Sequence, residues 1–431
     1  MTTPPPEIGL GFLGMGIVGC GTVETLLANR AEIEARIGRP FVIRRVAVAH
    51  PSKPRPVDLD PGIYTADGAA VVRDPHVDIV VEVIGGVEPA RTYIASALEH
   101  GKQVVSANKE LIAKAGAELL QMAAARKLDF AFEGSVAGGI PIILPLKVSL
   151  AANSIERVTG IVNGTTNYIL TRMLSESAAF EDVLAQAQRL GYAEADPSND
   201  VDGADAAYKL AILASIAFST RVRMEDVYYE GIRSVTADDV THARELGYVI
   251  KLLAIAKRSG ERLELRVHPG LIPADHPLAS VNEVFNAVMV KGSSVGEVMF
   301  YGQGAGGLPT GSAVASDIID VARNLCCEAT GRLHDSPFHD RAIVPMAEIR
   351  SQFYMRLLTL DRPGVIASIA TILGDHEVSI ASVMQKASHG GVAEIVWVTH
   401  PAPEGRFRAA LKLISDLPTV HEIGSVLRVE P

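Results

Sequence analysis

An apolar run, Ile8–Leu13, is followed at once by Gly14-Met15-Gly16-Ile17-Val18-Gly19 and then by a helix-like stretch over 22–36. A strand, a GxGxxG turn and a helix, in that order, restrict the fold more than any other feature of the chain. Gly14 permits a tight turn, Gly16 lets the main chain approach a pyrophosphate, and Gly19 lets the helix pack on its strand. The amides that open the helix then face the phosphates. The segment predicts a dinucleotide site built from Gly14, Met15, Gly16, Ile17, Val18 and Gly19, and hence an oxidoreductase.

The rhythm repeats downstream. β-rich runs at 42–49, 79–83, 104–106 and 130–133 alternate with helical segments at 89–100 and 110–125. Such alternation predicts a mostly parallel sheet with helices on both faces, a Rossmann-type α/β domain. Ligands of these sheets bind beyond the carboxyl ends of the strands. Ile84 and Gly85 fall at one such end, and Ser106, Ala107 and Lys109 at another. The second strand ends Val48-Ala49-His50, without the acid that commonly holds the ribose hydroxyls of NAD. Lys53 and Arg55 beyond it either neutralise a 2′-phosphate or form a solvated basic loop. The expectation is NADP(H), with NAD(H) as the alternative. Glu82, inside an apolar strand, needs a polar partner and is read as orienting a loop. Lys109, just past a strand end, can donate a proton or a charge-assisted bond to a carbonyl oxygen; a plain surface lysine is the alternative.

Composition narrows the partners. The 431 residues leave room for two or three domains. Lys and Arg total 40 against 50 Asp and Glu, a net charge of −10 that argues against nucleic acid. No apolar run of about 20 residues suggests a membrane span, and residues 1–7 lack the pattern of a secretory signal. Three cysteines, Cys20, Cys326 and Cys327, give neither a disulfide framework nor metal spacing, so a reducing cytoplasm is expected. The pair Cys326-Cys327 is read as packing.

From residue 134 the texture changes. The glycine-rich 134–141, with Glu133 before it, can hold a monovalent cation through carbonyl and carboxylate oxygens; structural glycines account for it equally well. Asn163-Gly164-Thr165-Thr166-Asn167 precedes a helix, with Thr165, Thr166 and Asn167 read either as caps or as the lining of a small polar pocket. The densest constellation runs from Gly191 to Lys209 and includes Glu194, Asp196, Asp200, Asp202 and Asp205. With a helix from Ala204 onward, Asp205 and Lys209 stand at i and i+4 on one face. A carboxylate and an ammonium at a pocket wall can orient a hydroxyl and move a proton; a capping loop with a surface ion pair is the alternative. Glu194 suits the ammonium of an amino-acid substrate. Beyond, 241–258 reads as amphipathic, 263–269 and 287–291 as strands, and the glycine-rich 302–310 as a loop before a helix over 312–324. That loop, with Gly307, is an anion site that closes over the cofactor.

The expected domains are 1–135 for the nucleotide, completed by 305–330; 136–330 for substrate binding, catalysis and dimerisation, an α+β domain; and 331–350 as a linker holding His334, Pro337, His339 and Pro345. Residues 351–431 read as strand, helix, strand, strand, helix, strand, with a turn at His389-Gly390-Gly391: a ferredoxin-like βαββαβ unit.

By its residues the chain resembles homoserine dehydrogenase over essentially its whole length. The resemblance is carried by Gly14 to Gly21, Ser106-Ala107-Asn108-Lys109, Glu133 to Pro141, Asn163 to Asn167, Gly191 to Lys209 and Gly307-Leu308-Pro309-Thr310. It implies reversible reduction of L-aspartate 4-semialdehyde to L-homoserine with NADPH or NADH, on the route to threonine, methionine and isoleucine. It further implies that Lys109 and Lys209 are catalytic, with Asp205 beside them. Glu194, Asp200, Asp205, Gly160, Thr165 and Lys209 would shape the homoserine site. Glu133 with main-chain oxygens of Val136, Gly138 and Ile140 would hold a structural sodium ion. The C-terminal unit resembles an ACT domain through Asp361-Arg362-Pro363-Gly364-Val365, implying threonine as an allosteric ligand and a homodimer, or a tetramer through ACT domains. Two other readings of the residues stand beside this one: a different small amino- or hydroxy-acid carbonyl reductase, and a nucleotide-sensing regulator.

Overall fold

The structure is a computed structural model that describes residues 7–333, 339–385 and 390–431; the expected linker residues His334 and Pro337 and the turn residue His389 lie outside them. The chain divides into two compact units. The first takes the described residues of 1–158, 208–226 and 286–340, the second those of 159–207, 227–285 and 341–431.

The first unit is built on a six-stranded parallel sheet. Its strands are β1 (Ile8–Leu13), β2 (Phe41–Ala47), β3 (Tyr64–Thr65), β4 (Ile79–Glu82), β5 (Gln103–Ser106) and β6 (Phe130–Ala131), in the order β3-β2-β1-β4-β5-β6. That is the doubly wound order, and its direction reverses between β1 and β4, where such folds bind ligands. All six residues of β1 are buried, as expected of a central parallel strand covered on both faces. The helices are α1 (Ile17–Ala28), α2 (Arg30–Ile37), α3 (Gly68–Arg73), α4 (Ala90–Glu99) and α5 (Lys109–Ala125). The single helix expected over 22–36 is thus two, broken at Asn29, where φ −111° and ψ 22° leave helical geometry. The strand expected over 130–133 stops at Ala131, and Glu133–Ser135 is a 3₁₀ turn.

A later helix, α11 (Gly307–Cys326), completes this unit. Its Val314, Ile318 and Val321 share a buried core with Leu10, Phe12, Val23, Leu26 and Val81. Two glycines make the approach to α1 possible. A Cβ on Gly21 would stand 2.1 Å from the Gly307 carbonyl oxygen, and one on Gly311 2.4 Å from the Gly21 carbonyl carbon.

The second unit begins as β7 (Ile155–Ile161) gives way to α6 (Gly164–Glu176), α7 (Phe180–Arg189), α8 (Ser198–Val201) and α9 (Ala204–Ala217). Then come β8 (Tyr228–Tyr229), α10 (Ala237–Glu245), β9 (Tyr248–Ser259) and β10 (Arg262–Pro273), the last two an antiparallel pair. The amphipathic stretch expected over 241–258 is therefore a helix end followed by a strand. The change comes at Gly247 (φ 82°), after which residues 250–256 are buried without a break. Similarly, the segment read as a loop from residue 302 is entered by a strand. β11 (Phe285–Gly292) pairs with β12 (Gly296–Gln303), and from Asn286 onward this hairpin belongs to the first unit.

At the C-terminus, β13 (Arg350–Leu360), α12 (Val365–Asp375), β14 (Ile380–Gln385), β15 (Val392–Thr399), α13 (Glu404–Ser415) and β17 (Val420–Val429) form the expected βαββαβ unit, with a two-residue strand, β16 (Ala402–Pro403), added on β13. The strand order is β17-β13-β15-β14. Phe353 and Phe407 stack at 3.9 Å in its core, beside the buried Trp397. β17 also pairs with β10 in parallel, through Gly270 with Arg428 and Leu271 with Val429. Buried ion pairs reinforce this junction. Arg428 contacts Glu230 and Glu404, Arg266 contacts Glu264 and Glu430, and Arg356 contacts Asp239. No helix among the described residues is long and apolar enough to cross a membrane.

Candidate active site

In the first unit the candidate residues gather at the carboxyl ends of β1, β4 and β5. Gly14 follows β1 with φ 104°, and a Cβ there would meet the Val83 carbonyl oxygen at 2.7 Å, so both conformation and space require glycine. Gly16 is the N-cap of α1, makes no side-chain cap, and has open space where a Cβ would stand. Gly306 is the N-cap of α11 and likewise offers no side-chain cap. Two helix N-termini, joined by the Gly21–Gly307 approach, thus keep their first amides uncapped by side chains. That is the arrangement an anionic pyrophosphate needs. Ile17, Ile84 and Leu308 are exposed around these loops, at 78%, 41% and 53%, apolar side chains that can lie against a bound cofactor.

Glu82 sets the loops after β4 and β5. Its Oε1 accepts from the amides of Ile84 and Gly85 and from Asn108 Nδ2, and its Oε2 accepts from the Ser106 hydroxyl at 2.7 Å. Burial pushes this carboxyl above its usual range, although those hydrogen bonds oppose the shift. The Ser106 side chain is thereby committed to the loop. Asn108 caps α5 through Leu111 N, which makes Lys109 the first residue of that helix. Lys114 lies over the ring of Tyr208, so α5 and the start of the C-terminal part of α9 are neighbours within this unit, and with them the helices of Lys109 and Lys209. At the ribose side, Arg55 donates to the carbonyls of His50 and Lys53 and lies over the ring of Tyr64. It closes its own loop, and Lys53 is the exposed cation there.

The expected cation loop is ordered around Glu133. In the structure the Glu133 carboxylate is hydrogen-bonded to main chain. It accepts from the amides of Ile142, Ile143 and Leu144 at 2.5, 2.7 and 2.7 Å, where the chain turns into helix. Three hydrogen bonds from one helix start are the ordinary use of an acid at that end. The Glu133 amide in turn donates to Asp317 on α11, a carboxyl that burial and the neighbouring Glu133 charge push well above its usual range. Ala137 and Gly138 are both left-handed, at φ 56° and 54°, so the loop holding Val136, Gly138 and Ile140 is sharply turned. Among the described residues, no three His, Cys, Asp or Glu side chains cluster as metal ligands.

In the second unit the acids are brought together by α6 and its cap. Asn163, not Thr165, Thr166 or Asn167, is the N-cap: its Oδ1 accepts from Thr166 N at 2.9 Å. The other end of the same amide donates to Asp200 Oδ1 at 2.7 Å and to Asp205 Oδ2 at 2.9 Å. Thr165 Oγ1 lies 2.7 Å from the Tyr192 carbonyl oxygen and 3.2 Å from Asp200 Oδ2. Asp205 is buried and opens α9, four residues before Lys209 on the same helix. Glu194 stays exposed on a loop ordered by Gln188, whose amide donates to the Glu194 and Ala195 carbonyls. Gly160 lies buried in β7. Asn167 is turned away from the acids' cap: its Nδ2 faces the carbonyls of Val281, Glu283 and Phe285, and its Oδ1 accepts from the buried Lys251. Burial brings Lys251 down to about 8.

The structure thus brings Asp200, Asp205 and Thr165 together, and the residue that joins the two acids, Asn163, was not singled out from the sequence. The usable signal was an asparagine directly before a helix, since asparagine is among the best N-caps.

The chain matches known proteins over almost its whole length. Residues 14–133 match the homoserine dehydrogenase NAD binding domain, 141–319 the homoserine dehydrogenase family, and 354–419 the ACT domain. Homoserine dehydrogenase of Synechocystis sp. is 49% identical over 98% of this chain and 99% of its own, and that of Bacillus subtilis 43% identical over 98% of each. Among solved structures, homoserine dehydrogenase from Thiobacillus denitrificans superposes with a TM-score of 0.92 at 44% identity, covering 98% of both chains. A hyperthermophilic archaeal homoserine dehydrogenase in complex with NADPH has a TM-score of 0.62 at 28% identity, covering 73% of this chain and 97% of its own. The chain belongs to the homoserine dehydrogenase family, NAD(P)-dependent oxidoreductases that interconvert L-aspartate 4-semialdehyde and L-homoserine in the biosynthesis of threonine, methionine and isoleucine.

Proposed function

We propose that the aldehyde is reduced with Lys109 and Lys209 as the cationic groups at its oxygen and with Asp200, Asp205 and Glu194 as the acids that receive the substrate's ammonium. The observation that carries this is the placement of Asp205 and Lys209 one turn apart on α9, with Asp200 tied to Asp205 through one amide. When bound, the nicotinamide supplies the hydride. Negative charge then grows on the carbonyl oxygen, and an ammonium at hydrogen-bond distance lowers the barrier by stabilising it and donating the proton. In the reverse direction the same amine, deprotonated, or a water it holds takes the hydroxyl proton. Gly160 and Thr165 contribute the polar wall, Thr165 through its hydroxyl beside Asp200.

The pyrophosphate is held by the amides opening α1 and α11, with Met15, Ile17, Val18, Ile84, Gly85, Ala107 and Gly307 around it. The preferred cofactor is NADP(H). The archaeal relative's NADPH, the missing acid after β2 and the exposed Lys53 support that choice. Arg55 contributes by holding the loop in shape rather than by reaching the phosphate. A sodium ion, where present, is bound by the main-chain carbonyls of Glu133, Val136, Gly138 and Ile140 and is structural, since the Glu133 side chain is spent on amides. The ACT-like unit is the input for threonine and an assembly surface. β14 is an edge strand with Val383 exposed, suited to pairing a homodimer's C-terminal units or extending it to a tetramer.

The test is oxidation of NADPH or NADH with L-aspartate 4-semialdehyde, with and without threonine, on protein whose mass is followed by light scattering. A higher kcat/KM with NADPH and threonine-dependent inhibition are expected. Equal use of both cofactors would remove the assignment of Lys53, and indifference to threonine would leave the C-terminal unit an assembly module only.

A further inference from the structure

The amide of Asn163 has all of its hydrogen-bonding capacity engaged, in two directions. Its oxygen accepts from the amide and from the hydroxyl of Thr166, each at 2.9 Å, at the start of α6. Its nitrogen donates one proton towards Asp200 and the other towards Asp205. The side chain is 4% exposed. This fixes which end of the amide faces which way. Turned over, it would set its oxygen against two carboxylates and its NH₂ against an N–H donor.

Among the preferred capping residues only asparagine serves both ends. Aspartate keeps the cap but offers a third acceptor to the two acids. Serine keeps the cap and is too short to span them. Thr165 is no substitute, because its single proton goes to the shorter contact, the Tyr192 carbonyl. Two carboxylates at one site repel, and a donor placed between them offsets that repulsion. The Asn163 NH₂ gives each acid such a donor and ties both to α6. Resting on the assignment of Asp200 and Asp205 to the substrate's ammonium, we propose that Asn163 is a positioning residue: it holds the two carboxylates at a fixed spacing, so that the ammonium is received in the orientation that presents the aldehyde.

The experiment compares Asn163→Ser and Asn163→Asp with the wild type, with Asp205→Asn and Asp200→Asn in parallel. Each is measured for thermal midpoint, KM for NADPH, and kcat and KM for aspartate semialdehyde. Both Asn163 variants should lower kcat/KM for the semialdehyde by about tenfold or more, with KM for NADPH within about twofold of wild type. Asn163→Ser should do so with an almost unchanged midpoint, because the cap is retained. A serine variant with native midpoint and native kcat/KM overturns the proposal while leaving the acids' role intact, provided the Asp variants are impaired. If the Asp variants are also unimpaired, the assignment of the acids fails and the positioning role falls with it.

Discussion

The two units differ in the partners of their carboxylates. In the first, acids grip main chain: Glu82 holds the amides of Ile84 and Gly85 besides the side chains of Ser106 and Asn108, Glu133 the amides of Ile142, Ile143 and Leu144, and Asp317 that of Glu133. In the second, they grip side chains: Asp200 and Asp205 meet Asn163, Asp239 meets Arg356, and Glu230 and Glu404 meet Arg428. The difference follows from what each unit has to present. A pyrophosphate is read by amides, so the first unit spends its acids and glycines on the shape of loops. On the proposed function, an amino-acid substrate is read by charge, so the acids of the second unit are held in place by side-chain donors.

The sharpest way to separate the two is Lys109→Ala. It removes a side chain without disturbing the amide cradle. Turnover should fall by about 10²–10⁴, with the NADPH dissociation constant, followed by fluorescence, nearly unchanged. A comparable loss of NADPH binding would show that the lysine belongs to the cradle.

Next in size is the charge network. Burial pushes Glu230 up, but the hydrogen bonds and charge of Arg428 outweigh it and hold the carboxyl at about 2 against an ordinary 4.5. A depressed carboxylate contributes stability that is complete above its ordinary value and is lost as pH falls through the depressed one. The window is therefore from about pH 4.5 down to about 2, and the contribution is on the order of 3 kcal/mol. Arg428→Met, which strands buried Glu404 and half-buried Glu230, should cost about 3 kcal/mol at neutral pH and flatten this acid limb, as read from urea midpoints at pH 7 and pH 3. An unchanged acid limb would mean that the second unit does not depend on the pair.

Smaller effects belong to the first unit. Gly21→Ala sets a methyl 2.1 Å from the Gly307 oxygen and forces α11 off α1. A loss of about 1–3 kcal/mol is expected, together with weaker cofactor binding, because both helix starts move. Lys53→Ala should weaken NADPH by about 1 kcal/mol or less and leave NADH unaffected. Equal effects on the two cofactors would exclude a contact with the 2′-phosphate.

Much of the first unit was readable because its constraints are local. A glycine is needed at residue 14 for a turn a few residues long, and a buried parallel strand needs an unbroken apolar run. The break at Asn29 and the end of the strand at Ala131 were not readable, since apolar spacing continues past both. The stretch 241–258 misled for a related reason: a buried helix end and a buried strand share an apolar pattern, and Gly247 alone marks the change. The acids were readable as residues, but their wiring was not. Asn163 lies 37 and 42 residues from Asp200 and Asp205, and a helix cap in the sequence says nothing about what the other end of the amide will meet.

The sequence by itself determined the parallel nucleotide fold, the family, the ferredoxin-like C-terminal unit and the identity of the charged residues, because periodicity, glycine spacing and residue type are properties of short stretches. Tertiary structure alone decided which donors those charges would find. It gave the Glu133 carboxylate to three amides, Arg55 to its own loop, and Asp200 and Asp205 to one asparagine. The physical reason is that a buried charge must be satisfied by whatever long-range packing brings within about 3 Å, and no local pattern encodes that neighbour.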